Sequence, residues 1–247
     1  MLTHYQTDPG KVRSHNEDSV TIVRNLSGDY LLMVADGMGG HKAGEVASSM
    51  AVTTIGSRFQ SMSTLGNKVD AITWLKEIIE EVNTSIIRYA NEHVDSMGLG
   101  STLVCAVLSK DYLIFANVGD SSGFVIKSGK LYKVTKDHTL VNLLVQSGDI
   151  TEEEAKYHPK KNVLMKALGA SLKVDVDIFD CDMEVTEILL SSDGLTNMLE
   201  KDQIEKVLLE DTEIEEKVIK LIQKANNRGG TDNISVAYLI RDMEGEV

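Results

Sequence analysis

The chain has two prolines and two cysteines in 247 residues, a single tryptophan, and fewer positive charges than negative ones. With so little proline and no Ser/Gly-rich stretch there is no linker to divide it, so residues 1–247 read as one domain, within the range of layered folds. A chain of this length buries a large core without covalent staples. Cys105 and Cys181 lie far apart in apolar or mixed surroundings, which suits reduced thiols. The six histidines form no pair at helical ligand spacing, which argues against zinc. No apolar run approaches the roughly 20 residues of a membrane span, and the N-terminus lacks the basic-then-apolar layout of a signal peptide. The expectation is a soluble cytoplasmic protein with no membrane insertion. A formal net charge of −13 excludes the phosphate neutralisation on which nucleic-acid binding rests. Phosphate ligands stay open only if cations locally reverse the sign of the field.

What is present is a run of apolar segments with two periodicities. Strands are expected around Ser19–Val23 and Tyr30–Ala35. Val46, Ala47, Met50, Ala51, Thr54, Ile55 and Phe59 then repeat at helical spacing, as do Ile72, Leu75, Ile78, Ile79, Val82 and Ile86. Strands follow near Thr102–Leu108 and Tyr112–Val118, and a hairpin turning at Ser128-Gly129 joins Gly123–Lys127 to Leu131–Val134. Thr151 to Glu154 carries a capping-box pattern, and His158-Pro159 closes that short helix. Alternation returns at Val174, Val176 and Ile178. A strand at Ile188–Ser191, two helical patterns over roughly 201–225 and a strand at Ile234–Ile240 complete the chain. Helices come in pairs and strands in runs, which predicts antiparallel sheets flanked by helices over a doubly wound parallel sheet.

Four aspartates stand at the ends of apolar segments, each with glycine within two residues: Asp36-Gly37, Gly119-Asp120, Asp193-Gly194 and Gly230-Thr231-Asp232. Glycine permits the sharp turns and close backbone approach that strand ends need. Any one of these pairs alone reads as an ordinary turn. Four that converge would crowd carboxylates that cannot all stay ionised without a cation. Oxygen-only ligands favour Mg²⁺, Mn²⁺ or Ca²⁺ over zinc. A metal lowers the pKa of bound water from 15.7 to about 7, and two ions about 3.5–4 Å apart can hold that nucleophile and phosphoryl oxygens for in-line attack. Arg13 is a planar fork suited to phosphate, although its ordinary reading is an ion pair with Glu17 or Asp18.

In order, the chain reads Arg13-Ser14-His15-Asn16-Glu17-Asp18, then Asp36 to Glu45, Gly98 to Thr102, Val118-Gly119-Asp120-Ser121, Ser192 to Leu195 and Thr231-Asp232-Asn233. This series resembles the metal-dependent protein phosphatases, the type 2C serine/threonine phosphatases. The likeness is closest to compact bacterial members that act against membrane-bound serine/threonine kinases. The resemblance implies an α+β fold, a four-layer αββα sandwich of two antiparallel sheets flanked by helix pairs, with a flap subdomain at about 137–170. It implies hydrolysis of phosphoserine and phosphothreonine in proteins, with two or three Mn²⁺ or Mg²⁺ ions. Asp36 would bridge two ions and Gly37 would offer its carbonyl; Asp193 and Asp232 match further ligands. Asp120, with Asp193, matches a third-ion site. Asp18 matches the carboxylate that holds metal-bound water, and Arg13 the phosphate-binding arginine. The implied partners are phosphoproteins, among them a cognate kinase and its substrates, and the chain is expected to act as a monomer.

Two positions depart from the pattern. Met38 stands where many eukaryotic relatives carry a histidine proposed as the acid for the leaving group, which leaves a water or His41 for that task. Ser122 stands where the family usually has arginine, which questions the ion pair that steadies the Asp120 loop. Lys156, Lys160, Lys161 and Lys166 form a basic island within the 137–170 segment. Two other readings are a non-catalytic sensing module on the same fold and a nucleotide-binding protein using Gly37-Met38-Gly39-Gly40.

Overall fold

The computed structural model describes residues 1–39, 43–93 and 98–242. In chain order its elements begin with strands β1 (Leu2–Asp8), β2 (Asp18–Arg24) and β3 (Tyr30–Met38), then helices α1 (Ala43–Gln60) and α2 (Lys68–Glu92). Strands β4 (Gly100–Ser101), β5 (Leu103–Leu108), β6 (Leu113–Val118), β7 (Ser122–Lys127) and β8 (Lys130–Lys133) follow. Helices α3 (Leu140–Ser147) and α4 (Glu152–Tyr157) precede β9 (Asp177–Cys181) and β10 (Glu187–Ser191). Helices α5 (Asp193–Thr196), α6 (Lys201–Leu208) and α7 (Ile214–Asn227) and strand β11 (Ile234–Ile240) close the chain.

The strands form two antiparallel sheets. One runs β1-β11-β10-β7-β8; the other runs β2-β3-β5-β6-β9, with the short β4 paired to β3. Side chains alternate across a strand, so a strand buried on both faces must be apolar throughout. In β3, Leu31, Met33 and Ala35 face α1 and α2, while Leu32 and Val34 face the other sheet. In β11, Val236 and Tyr238 face α6 and α7, while Ala237 and Leu239 face inward. Three apolar layers result: helices on sheet, sheet on sheet, sheet on helices. This is the expected αββα sandwich. Phe115, fully buried between the sheets, is a representative contact; its truncation to alanine costs about 3–5 kcal/mol.

Some elements differ from the sequence expectation, each for a physical reason. Strand β1 is unforeseen because Leu-Thr-His-Tyr-Gln-Thr-Asp shows no apolar alternation; it is an edge strand with no fully buried residue, held by its pairing with β11. Strand β9 begins only at Asp177. Val174 and Val176 do pack against the helix-side core, but the Val174 amide goes to a Glu80 carboxylate oxygen at 3.2 Å instead of to a strand. Helix α5 is a single short turn, below the length at which periodicity can be read. In the 137–170 segment, Thr139 caps α3, left-handed Gly148 ends it, and the Thr151/Glu154 capping box opens α4. Among the described residues no helix is long and apolar enough to cross a membrane.

Candidate metal centre and active site

The site forms where strand ends of both sheets meet. Asp36 lies near the end of β3 and sits directly opposite Asp18, the first residue of β2. The Asp36 backbone is fixed on both sides by Thr102, whose hydroxyl accepts from the Asp36 amide at 2.9 Å and whose amide donates to the Asp36 carbonyl at 2.8 Å. From the other sheet, Asp193 opens α5 with only Ser192 between it and the end of β10, and Asp232 stands two residues before β11. Asp120 follows the turn at the end of β6. Glycine is required beside two of these carboxylates by close approach. A Cβ at Gly37 would lie 2.1 Å from the Gly44 carbonyl oxygen, and one at Gly194 would lie 2.0 Å from the Asn233 carbonyl oxygen.

A cleft of about 260 Å³ is lined by Arg13, Asp36, Gly37, Asp120, Asp193 and Asp232, with Met38 at its wall and Asn162 and Leu164 reaching it from the 137–170 segment. Asp18 is buried beside this lining, 8% exposed, and accepts a hydrogen bond from Ser192 Oγ at 2.7 Å. That bond joins the two sheets at the site. Arg13 pairs with Asp232 at 2.7 Å, not with Glu17 or Asp18. Asn233 ties the N-terminal segment down: its side chain donates to the carbonyls of Pro9 and His15 and accepts from the Glu17 amide. Thr102, Ser192 and Asn233 all fall within motifs visible in the sequence, but their supporting roles appear only from their partners.

The carboxyls of Asp18, Asp36, Asp120 and Asp193 are raised together. Burial pushes Asp18 up to about 7, with the charges of Asp193 and Asp232 adding to it. Burial, then Asp193 and Asp137, pushes Asp120 up to about 7. Asp193 rises to about 6 through burial and Asp232. Asp36 lies well above the carboxylate range through burial and the charges of Asp18, Asp193, Asp120 and Asp232. Among the described residues no three side chains of His, Cys, Asp or Glu already close to ion-ligating spacing; the aspartates line the cleft instead of meeting at a point. Two oxygens nevertheless ask for a partner. Asp18 Oδ1 and Asp193 Oδ1 are buried and accept no hydrogen bond. Such groups are costly unless something binds them, and an all-oxygen donor set suits a hard divalent cation. The residues present therefore fit the expected metal.

Of the residues singled out from sequence, Arg13, Asp36, Gly37, Asp120, Asp193 and Asp232 line one cleft, and Asp18 backs it. His41, the candidate acid, lies outside the described residues, as do Gly40 and Lys42. The Gly37 amide already donates to the Glu17 carbonyl at 3.1 Å. This weakens the phosphate-loop reading, in which such amides stay free for the ligand.

A two-sheet αββα sandwich with a carboxylate-lined cleft where strand ends of its two sheets meet defines a fold and site class. Within that class, the family model for protein phosphatase 2C matches residues 10–230. The chain belongs to the protein phosphatase 2C family. It is 41% identical over 244 residues to the serine/threonine phosphatase stp of Listeria monocytogenes serovar 1/2a, covering 98% of this chain and 97% of that one. The S. agalactiae serine/threonine phosphatase structure is similar at a TM-score of 0.92 and 37% identity, covering 97% of this chain and 99% of that one. The catalytic domain of the serine/threonine protein phosphatase PstP, solved in complex with two manganese ions, is similar at a TM-score of 0.83 and 31% identity, with 98% of each chain covered.

Proposed function

We propose that this protein hydrolyses phosphoserine and phosphothreonine in proteins, using Mn²⁺ or Mg²⁺ held by Asp36, Asp193, Asp232, the Gly37 carbonyl and, for a third ion, Asp120 with Asp193. The observation that carries this reading is one cleft lined by Arg13 and four aspartates, with a buried carboxylate oxygen on Asp193 and another on Asp18 behind it that have no partner. The manganese of the PstP domain supports the choice of ion. When bound, the ions lower the pKa of water and neutralise phosphoryl oxygens, so no covalent phosphoenzyme is needed.

The chain's own residues do the rest. Arg13 spends one nitrogen on Asp232 and keeps the remaining donors of its fork for phosphate oxygens. Asp18 has Oδ2 engaged by Ser192 and Oδ1 open, so it can accept a proton from a water in the site and orient it. Met38 lines the cleft but carries no proton to give, which leaves protonation of the leaving alkoxide to water. We assign residues 137–170 to a flap subdomain of one phosphatase domain spanning 1–247, on the support of Asn162 and Leu164 at the cleft wall. The proposed setting is a cytoplasmic monomer that reverses the action of a cognate serine/threonine kinase, with the kinase itself and its substrates as the phosphoproteins it acts on.

The test is hydrolysis of a phosphothreonine peptide and an aryl phosphate with and without metal. EDTA abolishes both activities and Mn²⁺ restores them; full activity in excess EDTA overturns the metal mechanism.

A further inference from the structure

The Gly119-Asp120 turn lacks the bracing arginine of the family pattern. Ser122, in its place, is fully buried with a hydroxyl that meets no partner. The bracing comes from another direction. The His138 amide donates to the Gly119 carbonyl at 2.9 Å, and the Gly119 amide donates to His138 Nδ1 at 3.0 Å. A ring nitrogen that accepts from an amide carries no proton, so the ring proton sits on Nε2. Nε2 lies 3.1 Å from Asp177 Oδ2, a close charged contact without hydrogen-bond alignment, with the imidazole only 8% exposed. The other Asp177 oxygen lies 3.2 Å from Lys166 Nζ, which also reaches Asp175 at 2.6 Å. Asp177 is itself set by pairing with Asn117, whose side-chain amide donates to the Gly119 carbonyl at 3.1 Å. A second line of anchorage runs through the Met165 amide, which donates to the His138 carbonyl at 2.7 Å.

We propose that His138 is the positioning residue for Asp120, clamping the Gly119 backbone from both sides, with the nearby Asp177 carboxylate favouring the tautomer that makes the clamp. Because Met165 and Lys166 belong to the 137–170 segment, the same residue ties the base of that segment to the turn that aims Asp120 into the cleft. The role of Asp120 rests on the metal-phosphatase reading; the clamp does not, since it is made without metal.

Two measurements test it: amide hydrogen exchange at Gly119 in the metal-free protein, and calorimetric titration with Mn²⁺. In His138→Ala, Gly119 exchange should rise at least about tenfold and the weakest class of Mn²⁺ sites should lose about 10–100-fold in affinity, the range typical of lost outer-shell partners. His138→Asn places an acceptor oxygen close to where Nδ1 stood and should restore most of both. Asp177→Ala, at a partly exposed residue, should move both readouts in the same direction by less. Wild-type exchange at Gly119 in Asp177→Ala and His138→Ala overturns the clamp, as does a His138→Asn variant no better than His138→Ala. If the wild-type protein hydrolyses no phosphoester with Mn²⁺, the phosphatase reading fails, while the exchange data still decide the clamp.

Discussion

At the scale of single residues, the site is a set of groups held where they are unfavourable alone. Asp36 faces four other carboxylates, and its raised pKa reflects burial first and those charges second. Its removal should cost the most, because it would serve two ions. Asp36→Ala is expected to lower turnover by about 10²–10³-fold, comparable to losing a main electrostatic contact to the transition state. Asp193→Ala should resemble it, and Asp120→Ala should cost about tenfold, the scale of a weaker, outlying contribution. Steady-state kinetics with metal counting separates these; an Asp120→Ala variant with normal turnover and normal metal count removes the third site. The aspartates were legible in the sequence because each follows or precedes an apolar segment with glycine beside it, and the backbone approaches at Gly37 and Gly194 explain why those two neighbours are glycine. The partners of Asp18 were not legible. Ser192 is 174 residues away in sequence, and only the packing of the two sheets brings its hydroxyl to the carboxylate.

At the scale of elements, strands buried on both faces and long helices announced themselves, since Leu31–Ala35 of β3, all of β5 and Leu113–Ala116 of β6 are apolar and α2 repeats at helical spacing. Edge strand β1 and the single-turn α5 did not, because backbone pairing and one helical turn leave little mark on side-chain pattern. The 137–170 segment shows the same limit for charge. Its four lysines read as a basic island, yet Lys156 pairs with Glu153 and Lys166 with Asp175 and Asp177. Lys160 and Lys161 remain exposed, and Lys161 lines a groove of about 540 Å³ that shares Asp120, Asp193 and Asn162 with the cleft. Replacing Lys160 and Lys161 with alanine should raise KM for phosphopeptides about 3–10-fold, as expected for losing charge attraction near an acidic ligand. Hydrolysis of a small aryl phosphate, too short to extend from the cleft to these lysines, should stay near normal. Equal effects on the two substrates, or none on either, would remove these lysines from recognition.

At the scale of the molecule, the cleft couples protons and metal to the stability of the whole sandwich, because Asp18 and Asp36 belong to one sheet while Asp193 and Asp232 adjoin the other. The folded protein holds the Asp18 and Asp120 carboxyls at about 7, above their ordinary 3.8. The folded state therefore binds protons that the unfolded chain has released, so stability from these groups is present below the unfolded value and is lost as pH rises through the folded one. Asp182 and Glu210, which lysines hold below their ordinary values of 3.8 and 4.5, act in the opposite sense but only at lower pH. Metal-free protein should thus melt lower at about pH 8 than at about pH 5.5. Mn²⁺ binds the deprotonated carboxylates, so its stabilisation should grow over the same window and offset the loss. Saturation at 100 times Kd contributes about 2.7 kcal/mol. At about 2–4 °C per kcal/mol for a chain of this size, that is a rise of roughly 5–10 °C in Tm. Asp36→Asn removes one ionisable carboxyl from the cluster, and should raise the metal-free Tm at the higher pH, flatten the slope and abolish the Mn²⁺ shift. Thermal melts of the two proteins across this range, with EDTA or Mn²⁺, decide the matter. A metal-free Tm that climbs steadily with pH, or a Mn²⁺ shift that survives in Asp36→Asn, would separate the carboxylate cluster from the stability of the fold.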